Sequence, residues 1–210
     1  MLRIVIAEDH TIIRKGLIQI LKEEIQNLEI GEAANIIELN QLLHHEKWDM
    51  VISDISMPGR SGMDNLKQIK DLYPNLPVLM ISIHPEEQYA IRSLKGGANG
   101  YITKDSATEE LLLAVKTILS GHKYISATLA EHLAKHLSQK ERGGLPHETL
   151  SDREFDVLKM ITSGKTVSEI AKDLSLSATT ISTYRSRILE KMHMRTNAEL
   201  TQYAVSQGIA

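Results

Sequence analysis

The stretch Ser53-Asp54-Ile55-Ser56-Met57-Pro58-Gly59-Arg60-Ser61 decides how this chain folds. It begins at the end of a short apolar run, residues 50–53, which is typical of a buried strand. Asp54 stands at the C-terminal end of that strand, and a turn containing proline and glycine follows at once. We therefore expect its carboxylate to be displayed at the edge of a sheet, where open α/β sheets place their chemistry.

Two more carboxylates, Glu8 and Asp9, end another apolar run, residues 2–7. If the two strands are neighbours in the sheet, these groups and Asp54 converge on one spot. The repulsion between three such carboxylates needs a cation or a proton to relieve it. The sequence therefore predicts an acidic site at one end of the sheet.

The first half of the chain alternates apolar runs with segments of helical spacing. The runs cover residues 2–7, 29–34, 50–53, 78–83 and 100–102. The helical segments cover residues 11–23, 36–45, 62–73, 86–94 and 108–120. Near-continuous apolar strands in βα repeats predict a parallel sheet that is covered by helices on both faces. We expect residues 1–122 to form one doubly wound, five-stranded α/β domain.

The pattern changes after this domain. Residues 123–147 read as a connection with one helix at 126–137, followed by charges, two glycines and a proline over 138–146. Residues 148–210 are helical throughout, with Ser151 and Glu154 spaced as a capping box. Four short helices, two of them joined by a tight connection, predict a small all-α helix-turn-helix domain.

Composition excludes several kinds of protein. The chain has 210 residues, 42% of them hydrophobic, which allows one or two domains with ordinary cores. It has no cysteine, so disulfides and thiolate metal sites are ruled out. No apolar segment reaches membrane-spanning length, so we expect a soluble, cytoplasmic protein without a membrane partner. Residues 146–210 carry eight basic and eight acidic side chains, so this half is neutral overall. A surface that binds nucleic acid there must come from the local arrangement of its side chains and not from net charge.

Two further polar side chains complete the acidic site: Ser82 ends the fourth strand and Lys104 lies just past the fifth. In a parallel sheet these strand ends share one rim. A hard divalent cation such as Mg²⁺ suits the three carboxylates. Once it is bound, Asp54 can attack a phosphoryl group in line. Lys104 and the metal would neutralise the equatorial oxygens, and the Ser82 hydroxyl would donate to one of them.

These residues resemble the active site of a receiver domain of two-component signalling. The similarity spans residues 1–122 and covers Glu8-Asp9, the phosphoacceptor Asp54 with Met57-Pro58-Gly59, Ser82, Tyr101 and Lys104. Asp9-His10, Arg14-Lys15-Gly16-Leu17 and residues 97–105 further resemble the NarL/FixJ family, whose members carry a LuxR-type DNA-binding domain. The resemblance implies that the main-chain carbonyl of Ser56 also ligates Mg²⁺. His10 and His84 flank the site and are interpreted as surface or structural histidines.

The resemblance also implies a switch. Phosphorylation is expected to draw Ser82 toward the phosphoryl group, and the ring of Tyr101 is expected to rotate inward into the vacated space. We then expect a symmetric homodimer, formed either by the surface of residues 86–94, 100–102 and 108–120 or by the helices at 11–21 and 108–120. The expected partners are a sensor histidine kinase and promoter DNA. RNA polymerase is a further partner that the resemblance allows.

The helix that follows Ser177 is predicted to read DNA. On a helical wheel Ile181, Ile188 and Met192 share one apolar face, while hydroxyls and an arginine lie opposite. A helix of this kind after a short helix and a tight turn suits the major groove. The predicted DNA-contacting residues are Lys165, Thr179, Thr180, Ser182, Thr183, Ser186, Arg187 and Lys191. Residues 148–208 resemble the LuxR-type module, except that Ser182 and Tyr184 stand where lysine and histidine are common.

Three other functions stay open at this point. An enzyme of flavodoxin-like fold is disfavoured, because Glu8-Asp9-His10 occupy the place of a glycine-rich phosphate loop. A signalling adaptor would bind protein or RNA through its helical half, and a phosphate-independent regulator would ignore Asp54→Ala. The leading interpretation is a phosphorylation-controlled, DNA-binding transcription regulator that is not an enzyme.

Overall fold

The computed structural model describes residues 1–57, 62–140 and 145–209. The turn at Pro58-Gly59, predicted to follow Asp54, and the predicted linker residues 141–144 lie outside them. The chain forms two compact units, Met1–Leu133 and Ala134–Ala210. Their division falls inside the connection predicted at residues 123–147. The domain limits drawn from the sequence, at residues 122 and 148, stay predictions.

The first unit is a doubly wound α/β domain, as predicted. Its strands are β1 Leu2–Ala7, β2 Leu28–Ala33, β3 Met50–Asp54, β4 Val78–Ser82 and β5 Gly100–Thr103. Its helices are α1 Thr11–Glu24, α2 Ile36–His45, α3 Gly62–Leu72, α4 Glu86–Lys95 and α5 Ala107–Leu119. The strands are parallel and ordered β2-β1-β3-β4-β5. Each of these elements lies within one residue of its predicted limits at both ends.

The core of this unit explains why the apolar runs form strands. Every residue of β3 and β4 is buried, as expected for central strands that are covered on both faces. The strand side chains on one side pack against the apolar stripes of α1 and α5, for example Leu17, Leu21 and Leu111. Burying such side chains stabilises the unit by about 1.5–3 kcal/mol each.

The connecting helix is longer than predicted. α6 covers Ala127–Lys140, whereas the helix predicted from the sequence ended at residue 137. The prediction was wrong for residues 138–140, because Ser-Gln-Lys carries no helix breaker and the glycines come only at 143 and 144. α6 therefore begins in the first unit and ends in the second.

The second unit contains a 3₁₀ turn, Pro146–Thr149, and four helices. These are α7 Asp152–Thr162, α8 Val167–Asp173, α9 Ala178–Lys191 and α10 Asn197–Ser206. The predicted capping box of Ser151 and Glu154 is present, and Ser177 caps α9 by accepting from Thr180 N–H. The tight connection between α8 and α9 passes through Ser175, whose φ of 53° lies in the left-handed region. In the described ranges, none of the helices has the length and apolar character needed to cross a membrane.

Candidate functional site

Strand order brings the predicted site residues to one edge of the sheet. β3 lies between β1 and β4, and β5 lies beside β4. Asp54 ends β3 and Ser82 ends β4, while Glu8 and Lys104 directly follow β1 and β5. Because parallel strands end at the same rim, residues that are up to 96 positions apart in sequence meet there.

Lys104 joins two buried carboxylates at this rim. Its Nζ donates to Asp54 Oδ2 at 2.8 Å and lies 2.7 Å from Glu8 Oε2. The side chains of Asp54 and Glu8 are 1% and 0% exposed, and that of Lys104 is 7% exposed. Burial alone would lower the pKa of Lys104, but the hydrogen bonds and charges of the two carboxylates raise it above its ordinary value. The lysine therefore stays charged and offsets part of the repulsion between the carboxylates.

His10 belongs to the acidic cluster as well. Its Nδ1 lies 2.8 Å from Asp9 Oδ1 and 3.0 Å from Glu8 Oε1, and its main-chain N–H donates to the same Glu8 oxygen. One ligand atom each from Glu8, Asp9, His10 and Asp54 lie within 4.8 Å of one another. His10 was interpreted from the sequence as a surface or structural histidine, although its position directly after the acidic pair was a signal for including it in the site.

The donor set at this cluster fits a hard cation. Glu8 Oε2 and Asp9 Oδ1 are buried, and among the described residues each has one cationic or titratable neighbour. They meet only the Lys104 ammonium and the His10 ring. Several carboxylate oxygens that converge without enough donors provide what a divalent cation with oxygen ligands requires. The cluster can therefore hold a metal ion, at the place where the sequence predicted one.

The loop after β4 connects the rim to Tyr101. Ser82 Oγ accepts from the His84 main-chain N–H at 3.1 Å, and the His84 carbonyl accepts from Tyr101 Oη at 2.7 Å. Ser56, on the loop after β3, donates its main-chain N–H to Asp54 Oδ1 at 3.0 Å, and its Oγ lies 3.3 Å from His84 Nε2. The loops that follow the two strands are thus joined beside Asp54.

Tyr101 is a buried residue of β5. Its side chain is 0% exposed, and its expected turn on phosphorylation stays a prediction. The hydroxyl already finds an acceptor in the His84 carbonyl, so burying the ring leaves no unpaired polar group.

The second unit presents the predicted polar face of α9. Ile181, Ile188 and Met192 are buried, as the helical wheel predicted. The residues predicted to contact DNA are exposed, apart from the half-buried Thr180. Of the exposed ones, Thr179, Ser182, Thr183, Ser186 and Arg187 lie along α9, Lys191 is its last residue, and Lys165 precedes α8. The helix therefore offers hydroxyls and a guanidinium to a partner.

Several of these side chains have partners within the unit. Lys191 Nζ lies 2.6 Å from Glu154 Oε2, and Lys165 Nζ lies 2.7 Å from Asp173 Oδ2. The hydroxyls of Thr183 and Ser186 donate to main-chain carbonyls one turn earlier in α9, which leaves their lone pairs free to accept. These two ion pairs were not predicted from the sequence, because neither produces a periodic pattern.

Comparison with known proteins adds two family matches. Residues 4–116 match the response regulator receiver domain, and residues 148–204 match the bacterial regulatory proteins of the luxR family. The first match contains every residue of the acidic rim, and the second contains α7, α8 and α9.

Relatives of similar length were also found. The chain is 30% identical to the response regulator UvrY of Escherichia coli, over 100% of this chain and 96% of the relative. It is 31% identical to the response regulator GacA of Pseudomonas aeruginosa, over 100% and 98%.

A solved structure of RcsB from Salmonella enterica serovar Typhimurium, bound to promoter P1flhDC in the presence of the phosphomimetic BeF₃⁻, is 26% identical. It has a TM-score of 0.62, covering 99% of this chain and 98% of RcsB. A structure of two RcsB dimers bound to two parallel DNAs has 26% identity and a TM-score of 0.61, with 98% of each chain covered.

Proposed function

Since this chain belongs to the NarL/FixJ family of response regulators, which join a receiver domain to a LuxR-type DNA-binding domain, we propose that phosphorylation of Asp54 controls promoter binding by α9. The observation that carries this proposal is the position of Lys104 between the buried carboxylates of Glu8 and Asp54. Transfer of a phosphoryl group to a carboxylate uses such an arrangement, whereas a flavodoxin-like enzyme does not need it.

The acidic cluster supplies the groups for that transfer. An Asp54 carboxylate oxygen attacks the phosphorus in line with the bond to the donor, that bond breaks, and its electron pair leaves with the donor atom. The ammonium of Lys104, which pairs with Asp54 Oδ2, is placed to neutralise charge on a phosphoryl oxygen. The Ser82 hydroxyl, whose lone pair accepts the His84 N–H, keeps its own proton to donate to another oxygen.

Magnesium is the expected cofactor. Mg²⁺ would be held by Glu8, Asp9, Asp54 and the main-chain carbonyl of Ser56, where it supplies positive charge to the phosphoryl oxygens. The convergence of ligand atoms from Glu8, Asp9 and Asp54 within 4.8 Å of one another supports this assignment. The natural phosphoryl donor is a sensor histidine kinase, because that is the partner with which receiver domains exchange phosphate.

The DNA-binding part of the proposal rests on the exposed face of α9. The helix enters the major groove with Ser182, Thr183 and Ser186 toward the bases, and Arg187 near them. Lys165, Thr179, Thr180 and Lys191 lie around this face and would contact the backbone. The solved structures of RcsB bound to a promoter and of RcsB dimers bound to DNA support DNA binding by this chain. Because such a protein must reach the genome to act, we also propose a cytoplasmic location.

Dimerisation links the two events. A single small domain makes few phosphate contacts and binds DNA weakly at physiological salt. Two domains that are joined in a dimer bind paired half-sites with a much higher effective concentration. We propose that phosphorylation favours a homodimer formed by the first unit, through α4, β5 and α5 or through α1 and α5.

The test is phosphorylation by a small donor. Incubated with acetyl phosphate and Mg²⁺, the full chain should gain the mass of one phosphoryl group, measured by intact-protein mass spectrometry. The gain should vanish with a chelator and in Asp54→Asn. It should persist in Asp105→Asn, which removes an exposed aspartate beside Lys104. A mass gain that survives in Asp54→Asn contradicts the proposal.

A further inference from the structure

The segment that follows α5 packs back onto its own unit. Tyr124, Ser126 and Leu129 are 7%, 6% and 0% exposed, whereas Ile125 between them is 41% exposed. The main-chain N–H of Tyr124 donates to the Asn99 carbonyl at 2.8 Å. Burial and the nearby carboxylates raise the pKa of Tyr124 to about 12, so its hydroxyl stays protonated at neutral pH. The start of α6 is therefore fixed to the unit that contains the acidic cluster.

A buried hydrogen bond to α4 holds this segment. Ser126 Oγ lies 2.8 Å from Glu86 Oε1 and 2.7 Å from Glu86 Oε2, so one hydroxyl proton is shared between the two oxygens. The same Oγ accepts the main-chain N–H of Leu129 at 3.0 Å, which caps the first turn of α6. Both side chains are nearly inaccessible to water, and a hydrogen bond to a buried carboxylate is among the strong ones. We call this contact the Glu86–Ser126 clasp.

The clasp lies on the chain that leads away from the phosphorylation site. Glu86 is the first residue of α4 and stands four residues after Ser82. Between them, the His84 N–H is held by the Ser82 hydroxyl and the His84 carbonyl by the Tyr101 hydroxyl. If the Ser82 side chain rotates so that its hydroxyl reaches a phosphoryl oxygen, its Oγ moves away from the His84 N–H and one of these two supports is lost. The loop that sets the position of Glu86 is then free to rearrange.

We propose that the Glu86–Ser126 clasp transmits the phosphorylation state of Asp54 to α6. The inference rests on the proposed function, since phosphorylation supplies the change at Ser82. When the loop moves, Glu86 separates from Ser126, and the first turn of α6 loses the hydroxyl orientation that caps it. Because α6 begins in the first unit and ends in the second, a change in its first turn can transmit the phosphorylation state beyond the first unit.

The experiment compares two substitutions of Ser126 in the full chain, Asn and Asp, which are isosteric with each other. Asn at this position can cap α6 with its carbonyl and donate to Glu86 with its amide, so Ser126→Asn keeps the clasp. Ser126→Asp offers the same capping oxygen but sets a carboxylate against the buried Glu86 carboxylate, and their repulsion should push the new side chain out of the capping position. Amide hydrogen exchange of residues 127–133 is measured with Mg²⁺, with and without acetyl phosphate. Intact mass on the same samples reports phosphorylation of Asp54.

The expected results differ between the two variants. In the wild type and in Ser126→Asn, phosphorylation should speed exchange in the first turn of α6 by about fivefold, the effect of losing one helix cap. In Ser126→Asp the exchange should already be fast without phosphate and should change little on phosphorylation. Ser120→Asp, which adds the same charge at an exposed position, should behave like the wild type.

Two outcomes overturn the inference. One is a phosphorylated wild-type protein whose α6 exchange is unchanged or slower, and the other is equal behaviour of the Asn and Asp variants. Glu86→Ala opens the clasp from the other side and decides the matter if the Ser126 variants fold poorly. A wild type that takes up no phosphate at Asp54 rejects the proposed function itself, which the mass measurement distinguishes from a failure of the clasp alone.

Discussion

Lys191 donates to Glu154 Oε2 at 2.6 Å, and the same carboxylate oxygen accepts the main-chain N–H of Ser151 at 2.8 Å. Glu154 is 3% exposed. One buried carboxylate therefore ties the start of α7 to the end of α9, the helix that carries the predicted DNA face. Lys191 was predicted to contact DNA, but in this structure its ammonium has a partner inside the unit.

Lys191→Met should lower the stability of the second unit more than its ability to recognise DNA. The change leaves the Glu154 carboxylate buried without its cation, which should cost about 1–2 kcal/mol of unfolding free energy. Urea unfolding followed by amide signals of α7 measures this, since the only tryptophan, Trp48, reports on the first unit. Lys165→Met is the control, because its partner Asp173 is 41% exposed and the pair should contribute less than about 1 kcal/mol. Equal losses in the two variants contradict the prediction.

The same carboxylate should make the second unit sensitive to acid. Burial alone would raise the pKa of Glu154, but the hydrogen bonds from Lys191 and Ser151 hold it below its ordinary value of 4.5. A carboxyl group with a lowered folded-state pKa stabilises the fold above its unfolded pKa. That stabilisation is lost as pH falls from about 4.5 through the folded value. Urea unfolding of the second unit at a series of pH values should show a shallower decline below pH 5 in Glu154→Gln. Parallel pH profiles of variant and wild type are the result that speaks against it.

Arg187 and Arg185 provide a matched pair on α9. Arg187 is exposed on the predicted DNA face, whereas the Nε of the half-buried Arg185 donates to Asn197 Oδ1 at 2.7 Å. Arg187→Ala should weaken promoter binding and reduce the salt slope of the logarithm of affinity by about one, because one cationic contact with DNA is lost. Arg185→Ala should leave the slope nearly unchanged. Fluorescence anisotropy of phosphorylated protein on promoter DNA over a salt series measures both. Equal slopes for the two variants reject the assigned face.

Local signals in the sequence accounted for most of the fold. The apolar runs gave all five strands, and the spacing of Ser151 and Glu154 gave the start of α7, because strand burial and helix capping depend on neighbours in sequence. The meeting of Glu8, Asp54 and Lys104 was also predictable. It follows from parallel strand order alone and needs no knowledge of side-chain conformations.

The remaining features depend on distant partners. Tyr101 is buried because the carbonyl of His84, 17 residues away, accepts its hydroxyl proton. Ser126 finds Glu86 at a separation of 40 residues. Such pairs have no period and no fixed spacing, so the sequence shows polar residues at these positions without showing what they contact.

Lys104→Met should make the stability of the first unit depend strongly on Mg²⁺. Without the ammonium, the carboxylates of Glu8 and Asp54 lie buried beside each other without a cation, which should cost about 3 kcal/mol when a chelator is present. Mg²⁺ binds the folded state only, and in the variant it no longer competes with the lysine for these oxygens. We expect Mg²⁺ to raise the melting temperature of Lys104→Met more than that of the wild type, as measured by thermal unfolding with Trp48 fluorescence. Lys116→Met, at an exposed position of α5, should match the wild type in both conditions. A variant that is no more responsive to Mg²⁺ than the wild type would show that the cation does not bind at these carboxylates.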